Sequence, residues 1–276
     1  MTKGSWKIWF VLGTLSLVIM FAGHYFGGRQ GLLWTFVFSI FINALFYFFG
    51  DIRLADLFEG RQIEGQDPWN LIKMAKELCQ KARVPLPEIY VVSLQTPTAF
   101  SIGRNWKNSK IYITSSLIDE LDPEDLRAVL AYEITKIKRQ DTLTLTMSSA
   151  IAGGIFIFKS MYKSSSQRTI QDKSFTYYLR AIWAPIMSLM VRSVFNPKRT
   201  FETDKMAAEL LGDPKALAKV LWKLEAFCNT RPLHIPISMA HLFIVNPMTG
   251  RDWFKHFLIQ PKVENRILQL VGSYPI

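Results

Sequence analysis

The stretch DLRAVLAYEITKIKRQD, residues 125–141, determines the organisation that we predict for the chain. Asp122 followed by Pro123 is typical of a helix start. In a helix that begins there, five apolar residues share one face: Leu126, Val129, Leu130, Ile134 and Ile137. Glu133 lies near the middle of that face. It is predicted to be a core-edge carboxylate paired with Lys136 or Arg139, or to belong to an active site or its remains, because an unpaired buried charge is costly.

Two long apolar windows precede this helix in a chain of 276 residues that is 49% hydrophobic. Residues 6–26 contain one charge, Lys7, and residues 32–49 contain none. Each window is long enough to cross a bilayer core of about 30 Å. A secretory signal is disfavoured because the first window lacks a small-residue cleavage pattern and the second follows within five residues. We therefore predict a transmembrane helical hairpin over residues 1–50, with GGRQG as its turn.

The basic residues predict how this hairpin is oriented. Lys3 precedes the first window, Lys7 lies at its start, and Arg53 and Arg61 follow the second window, whereas Arg29 is the single basic residue between the two windows. Positive residues favour the cytosolic side, so both ends of the hairpin are predicted to be cytosolic. The net charge of +11 is scattered and forms no nucleic-acid-binding motif. The predicted partner is therefore the lipid bilayer with its anionic headgroups, and not nucleic acid.

The remaining segments predict an α+β fold that is mainly α. A helix is expected from about residue 68 to 83, followed by strands in PEIYVVSL and TAFSIGRNWKNSKIYITSSL that form a small antiparallel sheet. Residues 51–141 and 196–276 are predicted to build one cytosolic domain, which holds Cys79 and Cys228 as buried reduced thiols. Residues 142–195 form a second membrane-associated helical hairpin. It is either shallow or re-entrant, or it spans the membrane with a basic loop that is an exception to the charge rule.

The chain resembles the HtpX-like membrane zinc metallopeptidases along almost its whole length. The resemblance rests on the order of segments and on four stretches: TAFSIGRNWKNSKIYITSSLIDEL, DLRAVLAYEITKIKRQDTLTLTMSSAIAGGI, RTFETDKMAAELLGDPKAL and HLFIVNPMTG. It implies a zincin-like (gluzincin) domain in which the helix from Pro123 carries the active site. It also implies an integral protein of a bacterial or archaeal inner membrane, with the main domain cytosolic.

The sequence departs from this family at every zinc-ligand position. Family members carry His-Glu-x-x-His on the active-site helix, where this chain has Tyr132, Glu133 and Lys136. The third family ligand is a Glu four residues before an Asp, and here that pair is Thr200 and Asp204. Deprotonating a lysine at pH 7 costs roughly 4–5 kcal/mol and a tyrosine roughly 4 kcal/mol, while a neutral hydroxyl is a poor zinc ligand. Glu133 retains the position of the base, but no metal or other cofactor is predicted.

Lys136 is our candidate for the positive charge that replaces the metal. We expect its ammonium to pair with Glu133 or Asp204, since two carboxylates would otherwise lie close together. Asp204 supports the first histidine in the family, so here it is expected to meet the hydroxyl of Tyr132. The alternative is that Lys136 extends to solvent and the cleft has collapsed.

The resemblance also implies that Thr98, Ala99 and Phe100 lie on a strand beside the cleft. Such a strand can receive an extended peptide through backbone hydrogen bonds without a metal. The alternative is an ordinary sheet edge. Gln260 stands where a His is common in the family, which indicates that the cleft differs from that of the family at more positions than the zinc ligands.

These features together predict a catalytically inactive pseudoprotease that acts as a binding or regulatory protein in membrane-protein quality control. Its expected partners are unfolded or membrane polypeptides, or an active relative. One alternative is a metalloendopeptidase-type hydrolase that uses Glu133 with a different cation or none. The other is a structural subunit whose cleft has no role.

Overall fold

The computed structural model of the chain describes the backbone of residues 5–56, 58–64, 67–143, 145–146, 197–233, 235, 237–247 and 260–272. Most of the predicted second hairpin, residues 147–195, lies outside these ranges. The two N-terminal apolar windows form α1 (Ser5–Asp56), which is broken at Gly28. Gly28 has φ 56° and ψ −142°, a conformation that glycine adopts readily because it has no Cβ. The break lies within the GGRQG segment.

The two arms of α1 fold back against each other. Asn43 Nδ2 donates a hydrogen bond of 2.8 Å to Ser16 Oγ on the other arm. Close to the break, a Cβ built on Gly31 would lie 2.1 Å from the Gly23 carbonyl oxygen, so backbone meets backbone there. Within the described part of the chain, no helix combines the length and the apolar character needed to cross a membrane.

The close approach at Gly31 predicts a difference between two identical substitutions in α1. Gly31→Ala should lower the melting temperature, because its Cβ cannot fit against the Gly23 carbonyl. Gly13→Ala should leave it unchanged or raise it, since nothing lies within 4 Å of a Cβ at Gly13 and alanine favours helix. Thermal unfolding followed by circular dichroism on the detergent-solubilised chain measures both. Equal melting temperatures for the two variants would show that the arms do not pack as described.

The sheet has four strands in the order β1, β2, β4, β3. The strands are β1 (Arg61–Gln62), β2 (Glu88–Val92), β3 (Ala99–Gly103) and β4 (Ser109–Thr114). β3 and β4 form the predicted antiparallel pair, but β2 and β4 are parallel, so the prediction of an antiparallel sheet is wrong. The reason is the connection after β2, residues 93–98, which carries the chain past the position that β4 later fills. β3 is thereby left at the edge.

After α1, the helices of the described ranges are α2 (Leu71–Ala82), α3 (Ser115–Glu120), α4 (Pro123–Lys138), α5 (Pro197–Leu211), α6 (Pro214–Thr230), α7 (Val263–Val271) and a 3₁₀ helix (Ile237–Leu242). The helices α2, α5 and α6 pack against α4. α4 begins at the predicted residue. α2 begins after the predicted start, because Asn70 is left-handed at φ 55° and Asp67 accepts a hydrogen bond from the Ile72 amide at 2.7 Å. α4 ends before Gln140, which has φ 57°.

Two apolar clusters lie on opposite faces of the sheet. On one face, Ile111 and Ile113 pack with α2, α4, α6 and α7. On the other face, Tyr112 packs with Phe58 and Phe100 in a smaller aromatic cluster. This alternation along β4 follows from the two-residue period of a strand. Both cysteines are buried, and burial raises the pKa of the Cys79 thiol to about 11 and that of Cys228 to about 12.

Candidate functional site

Glu133 and Lys136 form a buried ion pair at the centre of α4. The Glu133 side chain is 0% exposed and that of Lys136 is 4% exposed. Lys136 Nζ lies 3.2 Å from Glu133 Oε1 and 3.0 Å from Oε2. One helical turn separates the two residues, so α4 itself holds them face to face. The structure thus gives Lys136 the first of its two predicted partners and keeps its charge away from solvent.

The Lys136 ammonium also binds the backbone of a distant segment. Its Nζ donates a hydrogen bond of 2.7 Å to the Leu242 carbonyl oxygen. An ammonium has three donor hydrogens, and two carboxylate oxygens and one carbonyl match that number. The same Nζ lies 5.9 Å from the ring centroid of Tyr132. Lys136 therefore has a complete set of acceptors inside the protein.

Asp204 forms a second buried ion pair with a residue that the sequence analysis missed. Arg266, on α7, donates from Nε to Asp204 Oδ2 at 2.9 Å and from Nη2 to Oδ1 at 2.7 Å. Its Nη1 donates to the Ile244 carbonyl at 2.6 Å. The sequence had suggested that Asp204 would meet the hydroxyl of Tyr132. In the structure, Asp204 is instead paired with the guanidinium of Arg266. A detectable signal was present, because Arg266 shares the apolar face of α7 with Val263 and Ile267.

Tyr132 lies between the two ion pairs. The Arg266 guanidinium carbon is 5.3 Å from the Tyr132 ring centroid, a cation–π arrangement. Burial raises the pKa of the Tyr132 hydroxyl well above its ordinary value, against the opposing effect of the nearby Arg266 charge. Burial alone would lower the pKa of Arg266, but the interactions with Asp204 and Tyr132 together outweigh it and the pKa is raised. The phenol is therefore neutral and the guanidinium charged at physiological pH.

The four charges of this cluster balance. Glu133 and Asp204 contribute two negative charges, and Lys136 and Arg266 contribute two positive ones. A divalent cation added to the cluster would bring two uncompensated charges into a buried volume, at a high desolvation cost.

The side chains at the family's ligand positions do not fit zinc. Tyr132 offers a neutral phenol and Lys136 an ammonium whose hydrogens are already donated. Thr200 lies half-buried on α5, one turn before Asp204, and offers a hydroxyl. Within the described ranges, no three His, Cys, Asp or Glu residues converge in a way that could hold a metal ion. Zinc in tetrahedral sites takes thiolate, imidazole or carboxylate ligands, and these three residues supply none of them.

His241 lies close to this cluster, on the 3₁₀ helix. Burial lowers the pKa of its imidazole to about 4, with a smaller contribution from the Lys136 charge and against the opposing effect of the hydrogen bond with the Leu145 carbonyl. The ring is therefore neutral at pH 7. Its Nε2 lies 3.2 Å from the Leu145 carbonyl oxygen, which fixes the proton on Nε2 because a carbonyl can only accept.

The three residues predicted to receive a peptide lie on or just before β3, at the edge of the sheet. Thr98, Ala99 and Phe100 are buried. The backbone of Phe100 forms an antiparallel bridge with Phe243 of the same chain. The free strand edge that a peptide would need is thus occupied at this point by the chain itself.

The segment that occupies this edge, residues 242–245, is named the strap here. Its members are all buried: Leu242, Phe243, Ile244 and Val245. Three successive strap carbonyls accept hydrogen bonds from side chains of other parts of the fold. Lys136 Nζ donates to residue 242 at 2.7 Å, Gln260 Nε2 to residue 243 at 2.9 Å, and Arg266 Nη1 to residue 244 at 2.6 Å. The buried charge cluster and the strap are therefore one connected structure.

Comparison with known proteins gives a consistent result. The sequence model of Peptidase family M48 matches residues 66–272. A "Protease HtpX homolog" of Persephonella marina is 32% identical over 271 residues, covering 94% of each chain. One from Aquifex aeolicus is 30% identical over 265 residues, covering 92% of this chain and 87% of the relative. The crystal structure of S. mikatae Ste24p matches the fold with a TM-score of 0.51 and 15% identity, covering 98% of this chain and 68% of that one.

Proposed function

The chain belongs to peptidase family M48 and is one of its HtpX-like members. Within that family, we propose that it is a catalytically inactive member, which binds polypeptides without cleaving them. The observation that carries this proposal is the Lys136 ammonium, which is buried between both oxygens of Glu133 and the Leu242 carbonyl. A positive side chain therefore contacts both oxygens of the carboxylate that would have to act as the base.

Catalysis by Glu133 is disfavoured on two grounds. A general base must accept a proton from a water within hydrogen-bonding reach, and here both carboxylate oxygens contact an ammonium. The polarising cation that would make the water acidic also has no ligands among Tyr132, Lys136 and Thr200. The Glu133 carboxylate then acts as the counter-charge of Lys136.

We propose that α1 places the protein in a membrane, with residues 51–141 and 196–276 as the main domain and residues 142–195 as a second membrane-associated hairpin. Large apolar side chains of α1 support this, since Phe21 is 75% and Trp34 is 76% exposed. An apolar surface of this kind is rare on a protein that is surrounded by water. The basic residues flanking α1 favour a cytosolic main domain in a bacterial or archaeal inner membrane.

The role that we propose is regulatory or binding, within membrane-protein quality control. The partners would be unfolded or membrane polypeptides, or an active relative of the same family. Support comes from the relatives, which are named proteases, and from the position of β3 at the edge of the sheet, where a polypeptide can add as a further strand.

Metal analysis and a protease assay test this proposal on one preparation. The purified full chain should contain no stoichiometric zinc and should leave casein intact. A variant with the family's ligands restored, Tyr132→His with Lys136→His and Thr200→Glu, should take up about one zinc ion, because imidazole and carboxylate are zinc ligands. Stoichiometric metal in the unchanged chain, with cleavage that a chelator abolishes, would overturn the proposal.

The alternative of a hydrolase that uses Glu133 without zinc is distinguished in the same assay. Such an enzyme would cleave casein in the presence of a chelator, and Glu133→Gln would abolish that cleavage. We expect no cleavage from either protein, since Glu133 is fully engaged with Lys136.

A further inference from the structure

We propose that the strap is a built-in occupant of a peptide-binding cleft, and that the cleft takes up an extended apolar peptide by exchange with the strap. This inference rests on the proposed function, because it assigns a ligand class and a closing device to the same site. The exchange inference and the proposed lack of catalysis can fail separately. Exchange is tested by measuring peptide binding, whereas the lack of catalysis is tested by measuring metal content and peptide cleavage.

One backbone contact of the strap is of the kind that a peptide added to the sheet would make. Phe243 makes an isolated antiparallel bridge with Phe100 of the edge strand, outside the regular ladders of the sheet. The neighbouring strap carbonyls are bound by the side chains of Lys136, Gln260 and Arg266. These donors recognise backbone and not side-chain identity, so they could hold any extended chain laid along β3. The edge of β3 and these three donors are the groups that would hold the incoming polypeptide.

The side chains of the strap indicate which peptides would fit. The Phe243 ring packs 4.9 Å from the Phe100 ring and 6.4 Å from the Phe58 ring, measured between centroids. Leu242 lies in the same aromatic cluster, whereas Ile244 and Val245 lie in the larger core on the other side of the sheet. A ligand that replaces the strap must fill these positions, because empty apolar pockets are costly. The expected ligand is thus an apolar segment with an aromatic residue facing Phe100.

The strap belongs to a loop whose ends are held together. The Leu233 amide donates a hydrogen bond of 2.8 Å to the Pro247 carbonyl oxygen. Displacing the strap would break the Phe100–Phe243 bridge and the side-chain bonds to its carbonyls, while this closure could persist. The same side-chain donors would then bind carbonyls of the incoming peptide. The hydrogen bonds lost from the strap would thus be replaced by hydrogen bonds to the peptide. The apparent affinity for the peptide then depends on the fraction of molecules in which the strap has left the edge of β3.

The test weakens the strap without touching the groups that would hold the peptide. Phe243→Ala empties the aromatic position of the strap and leaves Lys136, Gln260 and Arg266 in place. The probe is a fluorescein-labelled synthetic heptapeptide with the strap's own sequence, HLFIVNP, whose binding to the full chain in nanodiscs is followed by anisotropy. A second peptide carries Ala in place of its Phe. Phe227→Ala, a partly buried phenylalanine on α6, is the matched control.

We expect Phe243→Ala to bind the Phe peptide at least about tenfold more tightly than the unchanged chain or Phe227→Ala, because losing a buried phenyl weakens strap closure. The Ala peptide should bind more weakly. Phe243→Leu should show a smaller gain, and it keeps the test decisive should Phe243→Ala fail to fold. Equal affinities of the unchanged chain and Phe243→Leu, or equal affinities for the two peptides, would overturn the inference. Cleavage of the bound peptide would instead contradict the proposed lack of catalysis and leave exchange intact.

Discussion

Replacing Arg266 with methionine is expected to lower the free energy of unfolding by about 3–5 kcal/mol, the cost of leaving one partner of a buried ion pair alone. Asp204 would retain its negative charge in a site where Arg266 is 1% exposed. The Ile244 carbonyl would lose its donor and Tyr132 its cation–π partner. Denaturant unfolding of the detergent-solubilised chain, or a melting temperature lower by roughly 6–20 °C, measures the loss.

A matched substitution separates this effect from the loss of any arginine. Arg127 pairs with Glu77 at 2.9 Å, but its side chain is 32% exposed, so Arg127→Met should cost about 1 kcal/mol or less. Arg266→Lys should fall between the two, because an ammonium cannot reproduce the two parallel bonds that Arg266 makes to Asp204. If Arg266→Met melted at the temperature of Arg127→Met, the buried pair would not be a stabilising feature of the fold.

The parts of the fold that local signals determine were predictable from the sequence. The Asp122–Pro123 pair placed the start of α4, and α5 ends immediately before Gly212, which has φ 84°, a position where glycine is a recognisable stop signal in a sequence. The family resemblance, stated from motifs, is confirmed by the match over residues 66–272. These signals are local because caps and left-handed glycines act within one or two turns of a helix.

The order of the strands was not predictable in the same way. Each of β2, β3 and β4 was recognised from its composition, yet the parallel pairing of β2 with β4 depends on where the chain crosses between residues 93 and 98. Strand propensity contains no information on which neighbour a strand acquires. The pairing is decided by which arrangement buries Ile111 and Ile113 against α4 and Tyr112 against Phe100.

At the candidate site, the sequence identified three of the four charged residues of the cluster and missed Arg266. Glu133 was recognised because it interrupts an apolar face, Lys136 because the resemblance places a zinc ligand at its position, and Asp204 because the resemblance gives it a supporting role. Arg266 interrupts the face of α7 in the same way, but its partner Asp204 is 62 residues away and on another helix. The strap was recognised as part of a family motif, whereas its contacts with Lys136 and Phe100 are long-range and appear only in three dimensions.

Replacing Lys136 with methionine should be as damaging as the loss of Arg266, for the same physical reason. Glu133 would remain as an unpaired carboxylate with 0% exposure, at an expected cost of about 3–5 kcal/mol in the free energy of unfolding. Lys138→Met is the matched control on the same helix, and because Lys138 is exposed it should change stability by less than about 0.5 kcal/mol. Equal melting temperatures for the two variants would contradict a buried pair at this position.

The double variant Glu133→Leu with Lys136→Met separates the two roles of Lys136. Replacing a whole buried ion pair with apolar residues is often neutral or stabilising, so the double variant should recover most of the stability that Lys136→Met loses. What it cannot restore is the donor to the Leu242 carbonyl, 2.7 Å from Lys136 Nζ in the native chain. The strap should therefore exchange its amide hydrogens faster in the double variant than in the unchanged chain, even where the melting temperatures agree. Recovery of stability together with unchanged exchange would mean that Lys136 serves only to neutralise Glu133, and that the strap is held by its other contacts.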